Sequence, residues 1–166
     1  VVKKREILEI IKVAVASNIS HIQLREKKLP AKLLFELATE ALEITKNSDT
    51  KLLINERFDI ALAAKVDGVH LTSTSIPVEL VRQFVPKNFI IGVSTHTLAE
   101  AEHACKHEAN FVTFSPIFSK NEVGLDELRK VCELLKPFPV IALGGIDETN
   151  YREVLKIADG FAAIRF

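Results

Sequence analysis

Short apolar runs alternate along the chain with longer stretches whose apolar residues recur every three or four positions, the spacing of one helix face. The first such stretch follows Val1-Val2, with Ile7, Ile10, Ile11 and Ala14 set among charges. Residues 21–26 then read as a short strand. Pro30 suits the opening of a helix, and Leu33, Leu34, Leu37, Ala41 and Leu42 form an apolar stripe behind it. Lys51–Asn55 reads as a strand, 58–65 as a short helix and Gly68–Leu71 as a strand. Pro77 opens a helix carrying Leu80, Val81 and Phe84, and a strand follows at 89–94. Thr97 caps a helix to about His107, followed by a strand at 110–114, a helix at 125–135 and a strand at 139–143. Gly144-Gly145 ends that strand, Asp147 caps a helix to about Ile157, and 160–164 is the last strand.

Seven strands separated by helices imply parallel pairing, because a parallel neighbour is reached only through a crossover. The unbroken apolar run Val140-Ile141-Ala142-Leu143 suits a sheet buried on both faces. Polar residues sit at the same end of nearly every strand. That favours a barrel over an open doubly wound sheet, which gathers its ligand groups at one switch point. The first element is a helix, so an eighth strand is expected upstream of residue 1. The expectation is an α/β protein, a (β/α)8 TIM barrel with seven strands visible, as a single domain over 1–166. Such barrels run to about 250 residues, or about 200 at the small end. A chain of 166 residues therefore reads as a truncated one.

Composition narrows the partners. Lys+Arg and Asp+Glu balance at 22 each and the net charge is zero, so there is no electrostatic footprint for nucleic acid. Hydrophobic residues make up 48% of the chain, enough for a core. The two cysteines, Cys105 and Cys132, lie on helical stretches without a CxxC partner, which fits a reducing compartment. No apolar stretch approaches the ~18 residues of a membrane span, and no secretory signal opens the chain. A cytoplasmic location without nucleic-acid or membrane partners is expected; a homo-oligomer is left open.

Candidate chemistry gathers at the strand ends. Gln23 and Arg25 are two apart and share a face. Arg25 offers a planar fork of donors and Lys27 a mobile charge for phosphate; a salt-bridged strand end is the alternative. In Asn55-Glu56-Arg57, Glu56 could hold Mg²⁺ bridging phosphate oxygens, or pair locally with Arg57, or cap the next helix. His70 either lines a pocket or packs. Ser94 and Thr95 are helix-capping residues or hydroxyls facing the mouth, and neither Ser94 nor His96 has a visible triad partner. Lys120, after Ser115-Pro116-Ile117-Phe118-Ser119, is either a phosphate contact or part of a solvated loop. Gly144-Gly145 is the strongest signal. Two glycines allow close backbone approach, and the following helix N-terminus favours an anion. In these barrels phosphate often binds after the last two strands; a tight turn is the plainer alternative.

Taken in order, Gln23-Leu24-Arg25-Glu26-Lys27, Ile54-Asn55-Glu56-Arg57-Phe58-Asp59, Gly68-Val69-His70-Leu71, Ile91-Gly92-Val93-Ser94, Pro116-Ile117-Phe118, Gly124-Leu125 and Gly144-Gly145-Ile146 span nearly the whole chain. This series resembles the thiamine phosphate synthase family, which shares its barrel with bacterial thiazole tautomerases. The resemblance implies a transferase of thiamine biosynthesis acting on small phosphorylated substrates. It would join hydroxymethylpyrimidine diphosphate to a thiazole phosphate by dissociative substitution, releasing diphosphate. It also implies roles. Gln23, Arg25 and His70 would line the pyrimidine and diphosphate pocket, Lys27 and Asn55 would hold diphosphate, and Ser94 would sit beside the reacting pyrimidine. Gly145 with neighbouring amides would take the thiazole phosphate. Catalysis would rest on Ser94 and Lys27, and Glu56 stands where the family has an Asp that binds Mg²⁺.

The chain departs from the family at three places. Ser75 falls at a second metal-binding carboxylate, Arg165 replaces a small hydroxyl residue, and few loop residues follow Phe118. Pro116 stands near the catalytic His of the tautomerases. The alternatives are a tautomerase-like isomerase using Glu56 or His96, and a non-catalytic phosphate-ligand binding or regulatory paralogue.

Overall fold

A computed structural model describes residues 4–118 and 122–163. Among them, α1 (Lys4–Ala16), β1 (His21–Leu24), α2 (Ala31–Thr45), β2 (Lys51–Asn55), α3 (Phe58–Ala63), β3 (Gly68–Leu71) and α4 (Val78–Phe84) come first. β4 (Ile90–Thr95), α5 (Leu98–Lys106), β5 (Phe111–Phe114), α6 (Gly124–Leu135), β6 (Val140–Leu143), α7 (Tyr151–Val154) and β7 (Gly160–Ala162) follow. The strands form one sheet in sequence order, β1 to β7. Parallel strands in sequence order, each joined to the next through a helix, are the topology of a (β/α) barrel, as the strand–helix alternation predicts.

Two compact units make up the chain: Val1–His70 with Phe84–Ile90, and Leu71–Gln83 with Ile91–Phe166. In the first, β1, β2 and β3 pair in parallel with Leu24 opposite Ile54 and Ile54 opposite Val69. That row is buried, as are Leu34, Leu37, Ala38 and Ala41 of α2 and Ile60 and Ala61 of α3. The pleat turns the neighbouring positions, Leu53 with Asn55 and Gly68 with His70, to the other face. Gly68 is required there, because a Cβ would lie 2.1 Å from the Ile90 carbonyl oxygen.

The second unit repeats the scheme. Thr95, Phe114 and Ala142 lie level across β4, β5 and β6, all fully buried. Thr97 caps α5 as expected: its hydroxyl accepts from Glu100 N at 3.2 Å, and Glu100 Oε2 accepts from Thr97 N at 3.2 Å. This reciprocal box satisfies two helix-end donors at once.

A polar residue just before a strand ties that strand to the previous one, at three places. Asp67 accepts from Leu52 N at 2.9 Å, Asn110 from Ile91 N at 2.8 Å, and Asp159 from Val140 N at 2.9 Å. Asp67, Asn110 and Asp159 immediately precede β3, β5 and β7. Each side chain satisfies an N–H that the parallel ladder leaves unpaired at the start of β2, β4 or β6.

The structure corrects several predicted faces. Ile10, Leu33, Leu80 and Phe84 are exposed by 64%, 47%, 45% and 71%, whereas Ile11, Leu34 and Val81 carry the burial. A ~100° stripe admits only part of a run of adjacent apolar residues. The last helix is a single turn, Tyr151–Val154, not a helix opening at Asp147. Asp147 Oδ1 instead accepts from Thr149 N at 2.8 Å and Thr149 Oγ1 at 2.6 Å, closing a local turn that competes with helix. Residue 164 of the last predicted strand, and Arg165, lie outside the described residues.

Asp159→Ala strips the acceptor from the N–H of the fully buried Val140. It is expected to cost about 1–3 kcal/mol, read as a lower urea midpoint at unchanged slope; Asp159→Asn should recover most of the loss.

Candidate active site

In the first unit the chemistry lies along one level of three strands. Asn55 pairs with His70, and Leu24 with Ile54, so Arg25, one residue beyond, comes level with Asn55. Gln23 and Arg25 are exposed, while Asn55 and His70 are 7% exposed. Asn55 Nδ2 donates to Glu56 Oε2 at 2.9 Å, and Lys27 Nζ lies 3.9 Å from the same oxygen. That bond fixes which way the Asn55 amide faces. Its Oδ1 is buried with no hydrogen-bond donor, an arrangement that costs about 1–3 kcal/mol unless something fills it.

Glu56 holds a left-handed backbone, φ 60°, which a non-glycine residue adopts at a cost. Its N–H donates to His70 O at 2.9 Å, pinning that conformation to β3. Arg57 does not pair with Glu56. It forms a fork with Asp59, Nε to Oδ1 at 2.8 Å and Nη2 to Oδ2 at 2.6 Å. Nor does any side chain cap α3. Both local explanations for Glu56 therefore fail, and its carboxylate is turned toward Asn55 and Lys27. Burial pushes the His70 imidazole down to about 4, so it is neutral at pH 7.

In the second unit Ser94 is half-buried and level with Thr113 on β5. Thr95 is no site hydroxyl, since its fully buried Oγ1 donates to Thr113 O at 3.2 Å. His96 Nδ1 sits 2.8 Å from Ser115 O and so donates there, while its backbone N–H donates to Glu100 Oε2 at 2.6 Å. Cys132 has its thiol pushed up to about 11 by burial, with Asp159 adding to it, which makes it unreactive as a nucleophile.

Gly144 and Gly145 have φ of 102° and 69°. A Cβ on Gly144 would meet Pro116 Cα at 2.9 Å, and one on Gly145 would meet Phe118 O at 2.3 Å. The glycines thus admit the chain's own 116–118 segment, held by Ile117 N to Leu143 O at 3.1 Å and Phe118 N to Gly144 O at 2.9 Å. The helix expected to face an anion after them is the single-turn α7, which weakens the dipole argument. The Gly145 N–H makes no hydrogen bond among the described residues, which keeps it usable by a ligand. Lys120 lies outside the described residues. No helix among the described residues is long and apolar enough to cross a membrane.

Polar and cationic groups gather at the C-terminal ends of parallel strands, where proteins of the (β/α)-barrel class carry their active sites. The sequence matches the family described as thiamine monophosphate synthase over residues 1–166, and the chain belongs to that family. It is 38% identical over 164 residues to the thiamine-phosphate synthase of Methanocella arvoryzae, covering 94% of this chain and 77% of that one. To the thiamine-phosphate synthase of Alkaliphilus oremlandii it is 34% identical over 171 residues, covering 99% and 81%. Among solved structures, the thiamine phosphate pyrophosphorylase from Pyrococcus furiosus superposes with a TM-score of 0.88 at 35% identity, covering 94% of this chain and 78% of that one. The N-acetylmannosamine-6-phosphate 2-epimerase from Clostridium perfringens, at TM-score 0.72 and 15% identity, shares the fold.

Sequence reading passed over the strand-start acceptors Asp67, Asn110 and Asp159. A small or apolar residue, then Asp or Asn, then a strand recurs before β3, β5 and β7 and was the available signal.

The unfolded chain protonates His70 near 6.5 and the folded chain only near 4. The unfolded state therefore binds the extra proton between those values. This residue's share of stability is present above about pH 6.5 and is lost as pH falls toward 4, up to about 3 kcal/mol. The His70 ring resonances should hold their neutral shifts down to about pH 5 in a nuclear magnetic resonance titration; a midpoint near 6.5 would contradict the burial argument.

Proposed function

We propose that this chain transfers the pyrimidinylmethyl group of hydroxymethylpyrimidine diphosphate to the nitrogen of a thiazole phosphate, releasing diphosphate. The observation that carries this reading is the buried Asn55 amide. Its oxygen lacks a donor beside the strained Glu56 carboxylate, with Lys27 at hand. A strand end so furnished suits a highly charged anion and its counter-ion better than packing.

The substitution needs no acid or base. The C–O bond to diphosphate breaks with the electron pair leaving on oxygen, and the thiazole nitrogen lone pair closes the new C–N bond. Charge and position are what the protein must supply. Arg25 and Lys27 would take the negative charge that grows on the leaving group. Asn55 and Gln23 would orient it. His70, kept neutral by burial, would hydrogen-bond the pyrimidine without placing a second positive charge beside the developing cation. The Ser94 hydroxyl would lie along the ring and stabilise that cation by its oxygen dipole. Gly144 and Gly145 would present backbone amide to the thiazole phosphate, and Lys120 would add charge.

The oxygen donors fit Mg²⁺. Glu56 supplies a carboxylate and Asn55 Oδ1 a buried carbonyl without a donor. Mg²⁺ accepts one or two protein oxygens and completes its shell with water and phosphate. Ser75 Oγ accepts from Thr72 N at 2.8 Å and brings no second carboxylate. When bound, the ion would supply charge neutralisation on the diphosphate oxygens.

The decisive assay mixes both substrates with Mg²⁺ and follows thiamine phosphate and diphosphate, which should form one to one. Conversion of a thiazole phosphate tautomer with no pyrimidine present, or binding without turnover, overturns the proposal. Arg25→Ala should weaken diphosphate binding about tenfold to a hundredfold, the loss of a hydrogen bond to a charged group, in a calorimetric titration. Glu56→Gln should move the Mg²⁺ dependence of turnover to higher concentration; an unaltered metal titration takes Glu56 out of the site.

A further inference from the structure

The second unit carries a separate cluster that none of the residues assigned above explains. Glu79, the second residue of α4, faces His103 and His107 at the end of α5. One ligand atom from each of the three lies within 4.8 Å of the other two. His103 Nε2 is 3.4 Å from Glu79 Oε2, and that oxygen is buried without a hydrogen-bond partner. The two imidazoles stack at 4.1 Å between centroids, tilted by 35°. His107 Nδ1 lies 2.8 Å from His103 O. A carbonyl only accepts, so this nitrogen carries the proton and the lone pair is left on Nε2. Holding one ring nitrogen on a carbonyl while the other is free to bind is how metal-ligating histidines are oriented.

An ion pair between a protonated His103 and Glu79 would account for two of these residues. It leaves the Nε2 lone pair of His107 with no role. It gives the buried Glu79 oxygen only a long contact of 3.4 Å. The cation of α4 one turn on does not fill the gap: Arg82 Nη2 is engaged by Glu108 O at 2.8 Å and Asn110 Oδ1 at 2.9 Å. A divalent ion satisfies all three groups together. Two imidazole nitrogens and one carboxylate oxygen are the donor set of a three-ligand zinc site with water in the fourth position. Bonds of about 2.0–2.1 Å in a tetrahedron put ligands roughly 3.3 Å apart, close to the 3.4 Å between His103 and Glu79. Imidazole donors suit zinc and its transition-metal neighbours and not Mg²⁺, which takes oxygen.

We propose that Glu79, His103 and His107 form a binding site for a divalent transition metal of the Zn²⁺ type that clamps α4 to α5. The site uses no residue of the proposed reaction.

The test titrates the metal-free protein with Zn²⁺ in excess Mg²⁺, by calorimetry and by nuclear magnetic resonance of the five histidine rings. One equivalent should bind and shift the rings of His103 and His107 while those of His21, His70 and His96 stay in place. Co²⁺ in the same site should give the intense visible absorption of tetrahedral coordination. Glu79→Gln and His103→Ala should each weaken binding at least tenfold, with unchanged circular dichroism. A Cys105→Ser/Cys132→Ser variant should bind as the parent does. The proposal fails if Zn²⁺ shifts neither His103 nor His107. It fails also if Glu79→Gln binds as tightly as the parent, or if binding vanishes with the cysteines. The ring spectra of the unmodified protein decide the matter even where a variant does not fold.

Discussion

A parallel strand buried on both faces has nowhere to keep a polar side chain except at its ends. In this protein β2 to β6 bury Leu52, Ile54, Val69, Ile91, Val112 and Val140, all 0% exposed. Polar groups are pushed to the two rims, and the rims take different work. At the strand starts, Asp67, Asn110 and Asp159 complete hydrogen bonds that the ladder lacks. At the strand ends stand Arg25, Asn55, Glu56 and His70 in one unit, and Ser94 and Gly145 in the other; of these, the buried Asn55 Oδ1 has no hydrogen-bond donor.

The strand-end groups carry their cost visibly. Glu56 is held at positive φ by a bond to β3, Asn55 Oδ1 is buried without a donor, and His70 is buried as a titratable ring. Each of these features carries a cost in stability. Asp67 and Asp159, polar residues of the opposite rim, have their acceptors met by backbone N–H groups. That contrast separates the two rims without appeal to composition.

Glycine pairs show how one local signal serves two ends. Gly144 and Gly145 let the segment 116–118 pass at a distance no Cβ would tolerate. That packing anchors the loop after β5 to the end of β6. The same absence of side chains keeps the Gly145 amide accessible. A tight turn and a ligand-facing backbone are thus compatible readings of the same two residues.

The sequence by itself determined the order and type of nearly every element, because burial on both faces writes continuous apolar strands and one-sided burial writes helical periodicity. It also determined the family, through short strand-end motifs in a fixed order, and which residue types stand at the strand ends. Tertiary structure decided the rest. Whether Ile10 or Ile11 turns inward depends on where the neighbouring helix lies, and a stripe of adjacent apolar residues does not encode that. Whether Arg57 pairs with Glu56 or Asp59 depends on the left-handed turn at Glu56, which no propensity foretells. The opposition of Glu79 to His103 and His107 joins positions more than twenty residues apart, and a parallel fold makes such neighbours only by packing one crossover helix against the next.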